Sequence, residues 1–259
     1  MPSGAATAGS STSVAWVRRY TVGNLVRAAR ILGFNALNIT HPCKQLVVEH
    51  LDSLDERAAR LGAVNTVIFE ERGAVGHNTD ASGFATAFRT GLPDAPVTEV
   101  VQLGAGGAGA AVADALLTDG TEHLTVVDVD VARATTLARA LADRFPAARV
   151  DAGEIDKLPV LLPHSDGLVH CTPIGMADHP GLPIDPDLLH AGLWVADIVY
   201  RPLNTELLQV ARRAGCRTLS GGHMAVHQAA DTFTLVTGIR PDIDRMFATF
   251  THLLGGEAH

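Results

Sequence analysis

Residues 100–117 read VVQLGAGGAGAAVADALL, in which an apolar run meets a glycine-rich turn and then a segment of small and apolar residues. The residues before the turn predict a buried strand, and those after it predict a helix. At such a junction, backbone N–H groups at the helix start can bind a pyrophosphate, and glycines leave room for its approach. The stretch therefore predicts a Rossmann-like dinucleotide-binding unit, with a tight turn that binds nothing as the alternative. The predicted loop matches G-x-G-x-x-G and consists of Gly104, Ala105, Gly106, Gly107, Ala108 and Gly109.

An acidic residue follows the next apolar strand, where a dinucleotide-binding unit is expected to carry one. Asp128 lies 19 residues after Gly109 and directly follows the predicted strand His123–Val127. A carboxylate at this point accepts hydrogen bonds from ribose hydroxyls and repels the 2′-phosphate of NADP. The neighbouring Val129 stands where an NADP enzyme commonly has an arginine, and Arg133 is interpreted as a solvated helix residue. The pattern favours NAD over NADP.

Strands and helices alternate along most of the chain, which predicts an α/β fold with a parallel sheet in the second half. A connector with two prolines and a glycine, residues 91–96, separates two predicted domains. The predicted strands of the first half are Val14–Val22, Ala36–Thr40, Val64–Glu70 and Ala74–Asn78. Those of the second half are Thr98–Leu103, His123–Val127, Gly167–Cys171 and Leu193–Val199.

The composition is that of an ordinary globular protein and limits the possible partners. The 259 residues are 47% hydrophobic and 19% charged, and the formal net charge is −8. An acidic surface disfavours nucleic acid and anionic membranes as partners, and no apolar run is long enough to span a bilayer. Three widely spaced cysteines, Cys43, Cys171 and Cys216, predict neither a disulfide framework nor a zinc site, and no histidine spacing predicts a metal. We expect a cytoplasmic protein that binds a small molecule, as a monomer or homodimer.

Three polar segments follow predicted strands of the first half, NITHPCK at 38–44, GAVNT at 62–66 and GHNTDASG at 76–83. Polar residues in loops held by a scaffold are where functional sites usually lie. Lys44 and Asp80 could form an ion pair that faces a substrate. In the alternative interpretation, Lys44 lies on the surface and Asp80 caps the predicted helix Ala81–Thr90. Spacing alone leaves the two interpretations open.

From about residue 14 to residue 240 the chain resembles the shikimate/quinate dehydrogenase family. That family carries N-x-T-x-P-x-K, G-A-x-N-T, G-x-N-T-D-x-x-G, a glycine loop, T-P-x-G-M, D-x-x-Y-x-P and a late G-x-x-M…Q. In this sequence the same seven motifs stand in the same order, at Asn38–Lys44, Gly62–Thr66, Gly76–Gly83, Gly104–Gly109, Thr172–Met176, Asp197–Pro202 and Gly221–Gln228.

The resemblance implies a catalytic pair, Lys44 and Asp80, that handles the proton of a ring hydroxyl while hydride passes to a nicotinamide. It implies substrate ligands at Thr40, Asn65, Asp80, Tyr200 and Gln228. It also implies cofactor contacts at Thr172, Gly221 and Met224, although Met224 could equally be plain core packing. The implied substrate is shikimate or quinate, and the implied cofactor is NAD, with NADP less favoured.

The resemblance also implies two α/β domains, of which the first is discontinuous. Residues 1–92 and about 231–259 would form the substrate-binding domain, and residues 93–230 the Rossmann-like NAD-binding domain. His41, His170 and His227 are interpreted as structural or solvent-facing, since Lys44 already fills the acid/base role.

The N-terminal part departs from the family pattern. The family begins with a strand and a loop with S-x-S that binds the substrate carboxylate, whereas this chain enters the pattern at about the second strand. Ser11–Ser13 spells S-x-S without the expected context and is interpreted as coincidence, and residues 1–13 are predicted to be disordered. This departure keeps a rival hypothesis open, a catalytically impaired NAD-binding relative with a binding or regulatory role. A second rival is an enzyme of related architecture with a folate substrate, like methylenetetrahydrofolate dehydrogenase.

Overall fold

The computed structural model describes residues 19–40 and 42–255, which divide into two compact units. The first unit ends at Asn78 and the second begins at Thr79. Both contain a sheet and helices, so the α/β prediction is confirmed. The discontinuous first domain, residues 1–92 with about 231–259, remains a prediction.

The first unit carries a four-stranded mixed sheet. Its strands are β1 (Ala36–Asn38), β2 (Ser53–Leu54), β3 (Thr66–Glu70) and β4 (Gly73–His77). Its helices are α1 (Arg19–Ile31), α2 (Cys43–Leu46) and α3 (Glu56–Leu61), with a short 3₁₀ turn at Val48–His50. The strand order is β1-β3-β4-β2, in which β3 pairs antiparallel with β1 and β4, and β2 pairs parallel with β4. The predicted strands Val64–Glu70 and Ala74–Asn78 correspond to β3 and β4, which form an antiparallel hairpin.

The predicted strand Val14–Val22 is wrong over the part that the structure describes, because residues 19–22 begin helix α1. Val22, Val26 and Ala29 are 4–7% exposed and lie on one face, with the spacing i, i+4, i+7 of a helix. The pattern of β-branched and aromatic residues favoured a strand, but tertiary packing selects the helical period. Leu25, one position before Val26, is 55% exposed.

The second unit carries a six-stranded parallel sheet. Its strands are β5 (Glu99–Leu103), β6 (His123–Val127), β7 (Arg149–Gly153), β8 (Gly167–His170), β9 (Trp194–Asp197) and β10 (Arg217–Ser220). Its helices are α4 (Asp80–Gly91), α5 (Gly107–Thr118), α6 (Val131–Arg144), α7 (Leu158–Leu161), α8 (Glu206–Arg213), α9 (Gly221–Thr237) and α10 (Ile243–Gly255). Short 3₁₀ turns lie at Ile155–Lys157, Leu162–His164 and Pro186–Leu188.

The strand order of this sheet, β10-β9-β8-β5-β6-β7, is that of a doubly wound dinucleotide-binding fold. The chain moves outward from β5 to β7 and then returns to the other side of β5 as β8. The order therefore reverses between β5 and β8, and ligands bind at the carboxyl ends of the strands at such a point. The predicted glycine loop follows β5, and Thr172 lies two residues beyond β8, so the fold brings both to this crevice.

The core of the second unit is closed by an aromatic contact between a helix and the sheet. Phe88 of α4 meets Trp194 of β9 edge-on, with the ring centroids 4.8 Å apart. The indole N–H of Trp194 donates to the carbonyl of Pro96 at 2.7 Å, so its polar atom is satisfied within the core. Within the described part of the chain, none of the helices has the length and apolar character needed to cross a membrane.

Candidate active site

The glycine loop after β5 is held by the strands on both sides of it. The N–H of Gly104 donates to the carbonyl of Val127 at 2.7 Å, and the φ of Gly104 is +99°. A side chain is strained at this φ, and a Cβ would also lie 2.7 Å from the carbonyl oxygen of Cys171. The amide of Gln102, fully buried in β5, donates to the carbonyls of Gly104 and Gly109, both at 2.9 Å. The loop is therefore preformed.

The loop fits the diphosphate of a dinucleotide. A Cβ placed on Gly106 would meet no atom of the described protein within 4 Å, so internal packing gives no reason for glycine at this position. Close approach of a ligand to the backbone does give such a reason. Gly106 immediately precedes α5 and has no side chain to cap it. The N–H groups of the first helical turn thus suit a negatively charged ligand.

Asp128 lies directly beside this loop. It is 7% exposed, and its carboxylate accepts the N–H of Ala105 at 2.8 Å and the N–H of Asp130 at 2.9 Å. Each carboxylate oxygen accepts two hydrogen bonds, so capacity for ribose hydroxyls remains. The guanidinium of Arg133 is 3.8 Å from Asp128 and 3.5 Å from Asp130, with 55% of the side chain exposed. The side chain of Arg133 is thus exposed to solvent and also close enough to attract the carboxylates of Asp128 and Asp130.

A buried polar network joins the carboxyl ends of β8 and β9. His170 Nδ1 is 2.9 Å from Asp197, and His170 Nε2 is 2.5 Å from the hydroxyl of Thr172. The hydroxyl of Thr205 donates to the other oxygen of Asp197 at 2.6 Å. The interpretation of His170 as structural agrees with its complete burial, and a solvent-facing position is excluded. Burial, with a smaller contribution from the charge of Asp197, raises the pKa of the Cys171 thiol well above its ordinary value.

The start of α9 lies against this network. A Cβ on Gly221 would be 2.3 Å from the carbonyl oxygen of Ile198, so a side chain does not fit there. Met224, one turn further, is 8% exposed, whereas Tyr200 is 46% exposed and lies 6.2 Å from the ring of Phe250. Gly221, Met224 and Tyr200 thus belong to the unit that carries the glycine loop.

Asp80 is the first residue of α4 and is 4% exposed. The alternative in which Asp80 caps the helix is wrong, because Thr79 occupies the N-cap position. A carboxylate in the first turn still interacts favourably with the helix dipole. The hydroxyl of Thr79 lies 3.4 Å from the side-chain oxygen of Gln228 and 3.1 Å from the hydroxyl of Thr232. The start of α4, which carries Asp80, and the middle of α9, which carries Gln228, therefore meet.

Three other predicted residues converge at one end of the first sheet. The carbonyl of Asn65 accepts the N–H of Ile39, next to Thr40, at 2.7 Å. The carbonyl of Lys44 accepts the N–H of Val64 at 2.8 Å. Asn65 is buried, Lys44 is half-buried, and Thr40 is exposed. The segments NITHPCK and GAVNT therefore lie side by side in the first unit.

The third polar segment reaches the same end of this sheet. Asn65 donates its N–H to the carbonyl of His77 at 3.0 Å, and the side chain of Asn78 donates to the carbonyl of Ala63 at 3.0 Å. Lys44 belongs to the first unit and Asp80 to the second, so their pairing remains a prediction. His41 lies outside the described residues.

Sequence reasoning missed the buried polar residues that hydrogen-bond to the segments carrying the predicted ligands. Gln102, Asp197 and Thr205 are buried and polar, but only Asp197 lies in a quoted motif and none was assigned a role. An isolated glutamine in an apolar strand, two positions before a glycine loop, is the signal that was available for Gln102. Within residues 19–40 and 42–255, no group of three or more His, Cys, Asp or Glu side chains is placed to hold a metal ion.

Known proteins share the sequence and the fold of this chain. A family model described as the shikimate dehydrogenase substrate binding domain matches residues 12–67, and one for the saccharopine dehydrogenase NADP binding domain matches residues 100–177. A shikimate dehydrogenase (NADP(+)) of Streptomyces avermitilis is 62% identical over 237 residues, which span 92% of this chain and 81% of that protein. The chain belongs to the shikimate/quinate dehydrogenase family.

Two further relatives connect the family to NAD. A quinate/shikimate dehydrogenase (NAD(+)) of Corynebacterium efficiens is 50% identical, with 91% of this chain and 84% of that protein covered. The solved structure of quinate dehydrogenase from Corynebacterium glutamicum in complex with NAD superposes with a TM-score of 0.83. It is 47% identical, and the match covers 89% of this chain and 82% of that one.

The family resemblance and the expected class of enzyme are therefore confirmed. As a shikimate/quinate dehydrogenase family member, the chain is an NAD(P)-dependent oxidoreductase. Its glycine loop and strand order are the elements that bind a nicotinamide dinucleotide in this class of fold.

Proposed function

We propose that this protein interconverts shikimate, or quinate, with its 3-dehydro form, using NAD. In this proposal Lys44 and Asp80 transfer the proton of the ring hydroxyl, and Thr40, Asn65, Tyr200 and Gln228 bind the substrate. A bound nicotinamide cofactor supplies the hydride acceptor or donor. Asp128 binds its ribose, and the loop Gly104–Gly109 binds its diphosphate, with Thr172, Gly221 and Met224 along the remainder.

The convergence of Thr40, Lys44 and Asn65 at one end of the first sheet supports this assignment most directly. A threonine hydroxyl, an ammonium and an amide together suit a polyol, because they both donate to and accept from ring hydroxyls. Lys44 is the cation of the three, and an amine that moves between charged and neutral forms can carry a proton to or from a hydroxyl.

Asp80 complements Lys44 chemically. Its carboxylate is buried at the start of α4, where the helix dipole favours a negative charge. A carboxylate of this kind can fix an ammonium in position and accept a hydrogen bond from a substrate hydroxyl. In the proposed reaction Lys44 therefore transfers the proton, and Asp80 holds the ammonium of Lys44 and the substrate hydroxyl in position.

The choice of NAD over NADP rests on Asp128. Its charge is held next to Ala105, at the mouth of the glycine loop, and would repel a 2′-phosphate. The relatives of Corynebacterium carry NAD in their names, whereas the relative of Streptomyces avermitilis carries NADP(+). Arg133, within 3.8 Å of Asp128, is the cation that could counteract this repulsion.

The proposal is tested by the reduction of NAD and of NADP by the purified chain, with shikimate and with quinate as separate substrates. NAD-linked turnover of either substrate is the expected result. A folded protein that binds NAD and turns over neither would support the rival binding or regulatory role. Turnover of a folate substrate alone would support the second rival. Size-exclusion chromatography on the same sample would test the expected monomer or homodimer, and cell fractionation would test the cytoplasmic location.

A further inference from the structure

A histidine and an aspartate that the proposed reaction does not use lie completely buried at the carboxyl ends of β8 and β9. The side chains of His170 and Asp197 are both 0% exposed, and Nδ1 of the histidine is 2.9 Å from Oδ1 of the aspartate. A carboxylate only accepts hydrogen bonds, so Nδ1 carries a proton and donates a hydrogen bond to Asp197. The pair is therefore fixed in orientation.

Asp197 also bonds two residues that follow its own strand, β9. Oδ1 also accepts the N–H of Val199 at 3.0 Å, and Oδ2 accepts the hydroxyl of Thr205 at 2.6 Å. Val199 directly precedes Tyr200, which is a proposed substrate residue. The Asp197 carboxylate thus sets the path of the chain that leads to Tyr200.

His170 extends the constraint to the neighbouring strand end. Its Nε2 is 2.5 Å from the hydroxyl of Thr172, and the N–H of Ile174 donates to the same hydroxyl oxygen at 3.3 Å. The start of α9 completes the arrangement. A Cβ on Gly221 would lie 2.3 Å from the carbonyl oxygen of Ile198, so the helix rests directly on the chain that Asp197 holds.

Three proposed ligands, Thr172, Tyr200 and Gly221, therefore depend on one buried pair. We propose that His170 and Asp197 are positioning residues that hold these three ligands at the nicotinamide end of the cofactor site. This inference rests on the proposed function for the roles of the three ligands, and it adds a pair that acts through them. Neither His170 nor Asp197 needs to contact the substrate.

Of the two hydrogen bonds of His170, the one to Asp197 is expected to matter more for the position of the three ligands. A buried carboxylate that loses a donor has no water to replace the bond, whereas the partly exposed Thr172 can be hydrated and keeps the N–H of Ile174. His170→Leu removes the donor. His170→Asn keeps a donor at about the place of Nδ1 and is expected to restore the arrangement. His190→Asn is the matched control, since this half-buried histidine bonds the carbonyl of Leu162 at 3.2 Å, and the two residues precede β9 and β8 instead of following them.

The experiment measures kcat with shikimate or quinate, the Kd for NAD, the Kd for ADP-ribose, and Tm for the four proteins. In the proposed site ADP-ribose would contact the glycine loop and Asp128, and it lacks the nicotinamide. His170→Leu is expected to lower kcat by about tenfold or more and to weaken NAD relative to ADP-ribose, whose Kd stays within about twofold. His170→Asn is expected to recover most of kcat, and His190→Asn to resemble the unmodified protein.

Three results would overturn the inference. His170→Leu could leave kcat and the ratio of the two Kd values unchanged. It could weaken ADP-ribose as much as NAD, together with a large fall in Tm, which would indicate a purely structural role. His170→Asn could fail to recover any of the loss. If the unmodified chain turned over neither substrate, the proposed function would be wrong, and the ratio of the NAD and ADP-ribose affinities would still decide the role of His170.

Discussion

The backbone N–H of Ala105 donates to Oδ2 of Asp128 at 2.8 Å, so the glycine loop and the acid at the end of the next strand are bonded to each other. This bond fixes a negative charge beside the place where the 2′ position of a bound ribose is expected. Asp128→Asn removes the charge and keeps an acceptor. We expect kcat/KM for NAD to fall by about tenfold and the preference for NAD over NADP to narrow by at least as much.

The control for Asp128 is Asp156→Asn, which makes the same change of charge at a side chain that is 65% exposed. It should leave both cofactors unaffected. If the ratio of kcat/KM for NAD and NADP did not change in Asp128→Asn, the ribose role of Asp128 would have to be abandoned.

A second prediction separates ligand binding from folding within the glycine loop. Because no protein atom lies within 4 Å of a Cβ on Gly106, Gly106→Ala should leave Tm nearly unchanged. The added methyl group would stand where the diphosphate approaches the backbone, so the KM for the cofactor should rise by about tenfold or more.

Gly109→Ala is the matched comparison, because its Cβ would lie 2.3 Å from the carbonyl oxygen of Gly104. This variant should lose about 1–3 kcal/mol of unfolding free energy from overpacking. Denaturant unfolding and cofactor titration of both variants check the pair of predictions. Equal loss of stability in the two variants would show that Gly106 serves packing instead of a ligand.

A third prediction concerns pH and helix α9. Burial lowers the pKa of His223 below its ordinary 6.5, and burial followed by the charge of His223 lowers the pKa of His227, with Asp231 acting in the opposite direction. Both rings pack on Phe247, at 5.0 and 5.5 Å. Well above pH 6.5 both histidines are neutral in the folded and the unfolded chain, so they do not affect stability. As the pH falls through 6.5, the unfolded chain binds protons before the folded chain does. The free energy of unfolding therefore decreases until the pH is below the lowered pKa values of His223 and His227 in the folded chain.

Both histidines are partly exposed, so the effect after solvent screening should be below about 1 kcal/mol for each. Urea unfolding at pH 7.5 and pH 5.5 measures it. His223→Gln should reduce the loss of stability between these two values of pH, and the exposed His164→Gln serves as the control for removal of a histidine. A larger loss of stability in His223→Gln than in the unmodified chain would contradict the assignment.

The central part of the second sheet could be predicted from sequence because its strands are buried on both faces. The predicted strands Thr98–Leu103, His123–Val127, Gly167–Cys171 and Leu193–Val199 correspond to the four inner strands of the sheet. The two edge strands, β7 and β10, were missed. Their sequences RVDAG and RTLS are more polar than those of the inner strands, and an edge strand needs no continuous apolar run.

The candidate site also has a part that the sequence predicts and a part that it does not. The segments that carry Thr40, Lys44 and Asn65 are recognisable as motifs, and the structure places them together. The network of His170, Asp197 and Thr205 was not predicted, since its members are 27 and 8 residues apart and meet only through the pairing of β8 with β9. Contacts of this kind depend on strand register, which sequence patterns do not specify.

The central claim is that Lys44 and Asp80 carry the proton in a dehydrogenase reaction, and steady-state kinetics of Lys44→Met test it most directly. The control is Lys157→Met, at a lysine that is 60% exposed and belongs to the cofactor-binding unit. We expect Lys44→Met, and Asp80→Asn measured beside it, to lower kcat by at least about 100-fold while the Kd for NAD and Tm stay close to those of the unmodified chain. A kcat for Lys44→Met within about threefold of the unmodified value would contradict the account, because a general acid/base contributes far more than that.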